Sequence, residues 1–181
     1  MEKAFSVARD RYLTLSIANV DFALSIHCIR EVLDDLAITA LPDTTAGMPG
    51  IVDVRGNAVA VFDLGYALGL GPVAHTRDTR VVIVELWRGG RRVLAGLLAD
   101  AVREVHQIDD AAVQTPPRAC AGQLRGIARD GARFLLLLDM DKLLSGEAFC
   151  VPAGAAGEAR EAGKTGAADD ADGFPPIGAA S

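Results

Sequence analysis

The chain of 181 residues has room for one ordinary domain or two small ones sharing a core, and half of its residues are apolar. Its formal charge of −6 comes with no basic patch, which speaks against a nucleic-acid or anionic-membrane partner. Three scattered cysteines, Cys28, Cys120 and Cys150, make no paired framework and read as free cytosolic thiols.

The opening Met1-Glu2-Lys3-Ala4-Phe5 lacks the charged-then-apolar order of a signal peptide. No apolar run approaches the roughly 18 residues of a membrane span, so a cytoplasmic protein without direct membrane insertion is expected. Leu13, Leu15 and Ile17 alternate with Tyr12, Thr14 and Ser16, and after Asn19-Val20-Asp21 the alternation resumes at Phe22, Leu24 and Ile26. That pattern predicts a hairpin with one buried face. Further strands are predicted at 38–41, 51–54, 59–62, 81–86, 93–98, 124–128 and 134–138. Turn chemistry joins several of them: Arg55-Gly56-Asn57, Arg88-Gly89-Gly90 and Asp130-Gly131. The predicted helices, 64–68 and 140–144, are short, each preceded by an Asp able to cap it, Asp63 and Asp139. Short, evenly spaced strands of this kind indicate an all-β barrel or sandwich.

An internal repeat sharpens this. Residues 22–32, FALSIHCIREV, align with 95–105, AGLLADAVREV, and residues 50–68, GIVDVRGNAVAVFDLGYAL, with 126–144, GIARDGARFLLLLDMDKLL. Gly50 falls on Gly126, Ile51 on Ile127, Asp63 on Asp139 and Leu68 on Leu144. Two matches in the same order predict an ancestral duplication and two similar small β-barrels sharing a hydrophobic seam. The first is expected over 11–75 and the second over 76–149, with strands open to exchange between them. From 150 to 181 strand periodicity vanishes and half of the residues are Gly or Ala, so a flexible, disordered tail is expected. Within it, Phe174-Pro175-Pro176-Ile177 is open to the alternative reading of a docking peptide.

Catalytic readings lack support. Gly65, Gly69 and Gly71 match no phosphate-cradling motif. Asp43-Thr44-Thr45 has no partner loop for paired-carboxylate chemistry, since the second half offers only Asp130-Gly131. His27, His75 and His106 have no ligand spacing, and adjacent His27 and Cys28 would point to opposite faces of a strand. Asp34-Asp35 and Asp109-Asp110 read as solvated turn acids. No enzyme, cofactor or metal site is expected.

Several runs resemble the CheW-like domain family: Ile29-Arg30-Glu31-Val32, Leu41-Pro42, Gly50-Ile51-Val52-Asp53-Val54-Arg55-Gly56 and Val61-Phe62-Asp63-Leu64 in the first half. The second half matches at 81–84, 96–105, Pro116-Pro117, Gly126-Ile127 and Leu136-Leu137-Leu138-Asp139, so the similarity spans 11–149. Asp53-Val54 replaces the family's usual Asn-Leu, Ala60 a customary proline, and Ala99 a common Val. The resemblance implies two five-stranded SH3-like barrels with short helices. It also implies a non-catalytic adaptor coupling the cytoplasmic tip of a chemoreceptor to the regulatory domain of a CheA-type histidine kinase. Carried over residue by residue, the receptor side involves Ile29, Glu31, Gly50, Arg55, Val102 and Val105, and the kinase side Val81 with its strand. Read without the resemblance, Ile29, Val102 and Val105 are core residues, Gly50 a backbone requirement, and Glu31 and Arg55 surface charges. Alternative functions are a CheW-like scaffold of a non-flagellar pathway (twitching motility, surface sensing or second-messenger control) and a small-molecule-binding barrel.

Overall fold

The computed structural model describes residues 9–34, 37–88, 90–118 and 122–145. The expected tail, its Phe174–Ile177 motif, Cys120, Cys150, Asp35 and Gly89 lie outside the described residues. The described strands are β1 (Arg9–Ile17), β2 (Val20–Ser25), β3 (Ile29–Leu33), β4 (Gly50–Val54), β5 (Asn57–Asp63), β6 (Arg80–Arg88), β7 (Arg91–Ala99), β8 (Ala101–Asp109), β9 (Leu124–Asp130) and β10 (Arg133–Leu138). Two short helices, α1 (Leu64–Ala67) and α2 (Met140–Ser145), follow β5 and β10.

The strands form two five-stranded sheets ordered β8-β1-β2-β10-β9 and β3-β6-β7-β5-β4, hereafter the β1 barrel and the β6 barrel. Neither is contiguous in sequence. Each takes a central hairpin from one half of the chain and its three flanking strands from the other, so a cut at residue 75 divides both. The exchanged strands dock in parallel: β10 on β2 through Leu136 opposite Phe22, and β5 on β7 through Phe62 opposite Leu97.

Exchange explains the burial of β1. The single buried face expected from alternation is overturned, because Tyr12, Thr14 and Ser16 are buried as well as Leu13, Leu15 and Ile17. Leu13, Leu15, Ile17, Phe22 and Leu24 join the main core with Val59, Val61, Ile83 and Leu97 of the β6 barrel. Tyr12 and Ala23 face a smaller core with Ile108, Ala128, Leu135 and Leu137. Each fully buried Leu or Ile contributes about 1.5–3 kcal/mol of transfer free energy, so the hairpin is anchored on both sides. Thr14 is tolerated there because its hydroxyl donates to the Glu104 carbonyl at 2.8 Å.

Several local expectations shift. The first turn is Ala18-Asn19, both at positive φ (49° and 63°), one residue ahead of the predicted turn. The Asp100 carboxylate holds it by accepting from the Ala18 N–H at 2.6 Å. Ile26–Cys28 is a 3₁₀ turn and not strand, so the opposite-face placement of His27 and Cys28 does not apply. In the predicted strand 38–41 only Thr39 pairs, by a bridge to Ile51. Pro42 and Asp43, the latter at φ 57°, end any extension.

The two halves repeat in detail. Asp63 N–H donates to the Gly47 carbonyl at 2.9 Å and Asp139 N–H to the Gln123 carbonyl at 3.0 Å. The Thr39–Ile51 bridge has its counterpart in Gln114–Ile127. The caps diverge: Asp63 is buried, and its two oxygens accept from Tyr66 N–H and Val73 N–H, both at 2.9 Å. Asp139 accepts from Lys142 N–H at 3.2 Å on the surface. Asp63→Ala strands the buried Val73 N–H and removes the cap on Tyr66 N–H, and should cost about 2–3 kcal/mol. Asp139→Ala loses an exposed cap and should cost about 1 kcal/mol or less. Urea unfolding of the two variants checks this; equal losses would mean that the bond to Val73 contributes nothing.

Candidate functional site

The sheet edges of the β6 barrel are β3 and β4, and the site assembles where they approach. Along β3, Ile29, Glu31 and Leu33 are half-buried and alternate with exposed Arg30 and Val32. β4 runs into a two-residue turn with Arg55 at φ 53° and Gly56 at φ 83°, the left-handed pair that matches strand twist. Asp53, the departure from the family pattern, braces this turn: its carboxylate accepts from the Gly56 N–H at 2.7 Å. The turn delivers Arg55 to Glu31, with Nε 3.4 Å from Oε1. The Arg55 side chain is 81% exposed and that of Glu31 29%, so the pair is a surface clasp. Beneath it lies an open cleft of about 620 Å³ with Ile83 and Leu94 in its lining.

The remaining expected residues divide between surface and core. Gly50 is buried at the start of β4, with φ 153°. A Cβ there would lie 2.1 Å from the Thr39 carbonyl oxygen, so its backbone conformation and the crossing of residues 39–40 both demand glycine. Val102 and Val105 lie on β8 of the other barrel, opposite Leu15 and Leu13. Val102 is half-buried against the main core, as is Ile29, its counterpart in the repeat. Val105 is 45% exposed, and its counterpart Val32 is 40% exposed. Val81 is wholly buried in β6, so its side chain offers no surface to a partner.

Three polar constellations escape a reading by sequence. Glu85 receives both Arg30, at 2.9 Å, and Arg92, at 3.4 Å, across three neighbouring strands. Asp21 receives Arg103 at 3.7 Å and Arg133 at 3.6 Å at the end of the β1 barrel. His106 stands 3.3 Å from Glu104 and 3.7 Å from Asp130, linking β8 to β9, the edges of the β1 barrel. Each needs strand register to be found, and register is a tertiary property. Tyr12 takes a hydrogen bond from Arg125 at 3.0 Å; burial raises its phenol pKa, and the guanidinium opposes that rise.

A second open cleft, about 610 Å³, spans both barrels between β3, the end of β6 and the start of α2. Trp87, 65% exposed, stands in its lining with Arg92 packed on the ring at 5.3 Å. Cys28 lies there too, its thiol bonded to the Ser25 carbonyl at 2.9 Å and its pKa pushed up to about 11 by burial. Burial thus favours the protonated thiol at neutral pH. Among the described residues, no group of three or more His, Cys, Asp or Glu is arranged to hold a metal, and no helix is long and apolar enough to cross a membrane.

Comparison with known proteins agrees with this architecture. The CheW-like domain model matches residues 11–148. The probable chemotaxis protein CheW of Rhizobium etli is 27% identical over 137 residues, covering 74% of this chain and 86% of that protein. The chemotaxis protein CheW of Klebsiella aerogenes is 25% identical over 140 residues, covering 75% and 82%. Among solved structures, the scaffolding protein TtCheW of Thermoanaerobacter tengcongensis aligns with a TM-score of 0.69 at 29% identity, covering 78% of this chain and 96% of that one. With the family model spanning both hairpin-exchanged barrels, the chain belongs to the CheW-like domain family.

Proposed function

We propose that this chain is a non-catalytic chemotaxis scaffold that couples the cytoplasmic tip of a chemoreceptor to the regulatory domain of a CheA-type histidine kinase. The observation that carries the reading is the union of two similar barrels on a shared main core, with separate open surfaces held at fixed relative positions. Such a body transmits state by contacts that differ between partner conformations and needs no chemistry of its own. The receptor side comprises Glu31 and Arg55 at the clasp, Val105 as the exposed apolar contact, and Ile29, Gly50 and Val102 as the residues shaping the surface beneath. The kinase side is the β6 barrel around the strand that starts beside Val81, which contributes through packing.

The test is a reconstitution of receptor, kinase and this protein. Kinase autophosphorylation should become receptor-dependent only when all three are present, and the protein should co-sediment with each partner separately. Receptor control that is equally strong without this chain would defeat the proposal, as would binding to neither partner.

A further inference from the structure

The cleft that carries Trp87 takes no part in the clasp described above, yet it has the makings of a peptide site. Leu138 and Met140 form a buried apolar base, and Ile29 and Leu86 are half-buried beside them. Trp87 is the most exposed of the large apolar side chains described. Its ring is held from one direction by Arg92, which Glu85 also binds. An indole presented beside an apolar base is the surface on which proline-rich segments pack, because prolines preset an extended helix and lose little entropy on docking.

We propose that the occupant is the chain's own segment Phe174-Pro175-Pro176-Ile177. Three observations point to it. Met140, the first residue of α2, lies in the cleft, and α2 ends at Ser145, so the tether starts within about 9 Å of the site at 1.5 Å per helical residue. The intervening stretch, 146–173, gives ample reach at up to about 3.3 Å per residue. From 153 onward the sequence is Gly, Ala and polar residues except for this motif, which alone there combines an aromatic, two prolines and an Ile. The cleft's arginines are already engaged, Arg30 by Glu85 and Arg125 by Asp110, so the docking rests on apolar contact. Phe174 and Ile177 fill the apolar base, and the prolines lie on Trp87. This assignment is independent of which partners the barrels engage.

Trp87 is the only tryptophan, so its fluorescence reports this cleft alone. A tethered motif has an effective concentration on the order of 1 mM, enough to protect the indole and lower acrylamide quenching about twofold relative to a chain ending at Gly173. Phe174→Ser with Ile177→Ser in the full chain should abolish the protection. A synthetic peptide of residues 168–181 should restore it saturably to the shortened chain. Equal quenching of the full and shortened chains would overturn the proposal, and so would protection that survives the double substitution. Protection that grows with protein concentration would assign the cleft to a second copy's tail and overturn docking within one chain.

Discussion

Gly50→Ala should lower the unfolding free energy by about 2–6 kcal/mol, a large part of the roughly 5–15 kcal/mol that holds a typical domain. Two effects add. The backbone at φ 153° strains any L side chain, at about 1–3 kcal/mol. The new methyl would also meet the Thr39 carbonyl oxygen at 2.1 Å and its carbon at 2.8 Å, an overpacking of about 1–3 kcal/mol. Thr39 cannot retreat cheaply, since it both donates to and accepts from Ile51, at 2.8 and 2.9 Å. Gly126 supplies the control within the same molecule. Its φ is not in the left-handed region, and its first obstacle is the Val113 side chain, at 2.2 Å. Gly126→Ala should therefore cost about 1–3 kcal/mol. Urea titrations of both variants decide the point, and a Gly50→Ala protein as stable as the parent would refute it. Poor receptor binding by a Gly50 variant would accordingly report lost structure, not a lost contact.

For Arg55→Glu the proposed receptor surface predicts the opposite profile: receptor-tip affinity falls about 10–30-fold, or about 1.4–2 kcal/mol, with the fold intact. The exposed pair contributes only about 0–1 kcal/mol to stability, because water screens it. Its larger effect is positional. Glu31 and the Asp53-braced turn together orient the guanidinium, whose planar donor fork is the feature offered to a partner on the proposed receptor surface. Reversal replaces that fork with a carboxylate beside Glu31 and Asp53. Glu31→Arg combined with Arg55→Glu should rebuild an ion pair without rebuilding recognition. Receptor affinity and melting temperature, measured for both single variants and the double variant, separate the roles. Undiminished affinity in Arg55→Glu removes the clasp from the receptor surface, and a large fall in melting temperature makes it structural.

Much of the fold can be read along the chain because its determinants are local. Alternation at Leu13–Ile17, the Arg55-Gly56 turn and the Asp63 and Asp139 caps each act within a few residues. The duplication is legible for the same reason, since both copies preserve these local signals. Pairing between hairpins is not, because it depends on which distant strand completes which edge. Val81 shows the consequence: in the run Val81-Val82-Ile83-Val84 all four residues are buried, a pattern produced by coverage on both faces. A strand with one wet face would have left two of them exposed. At the site, resemblance points to Glu31 and Arg55, and their meeting at 3.4 Å follows from a turn whose residues are explicit in sequence. Arg30 with Glu85 and Asp21 with Arg133 stay hidden because charge alone does not disclose register.

The exchange of hairpins also governs how the molecule is made. During synthesis β1 and β2 emerge first, but three of the five strands in their sheet end at Asp109, Asp130 and Leu138. An apolar hairpin that ends at Ser25 therefore waits until the chain has reached Leu138, and its contacts carry the loop-closure cost that slows folding. Through that interval it is a surface for chaperones or for misassembly with a neighbouring chain. Once closed, neither half of the chain has a complete sheet of its own, so loss of one barrel dismantles the other and denaturation should proceed in a single cooperative transition.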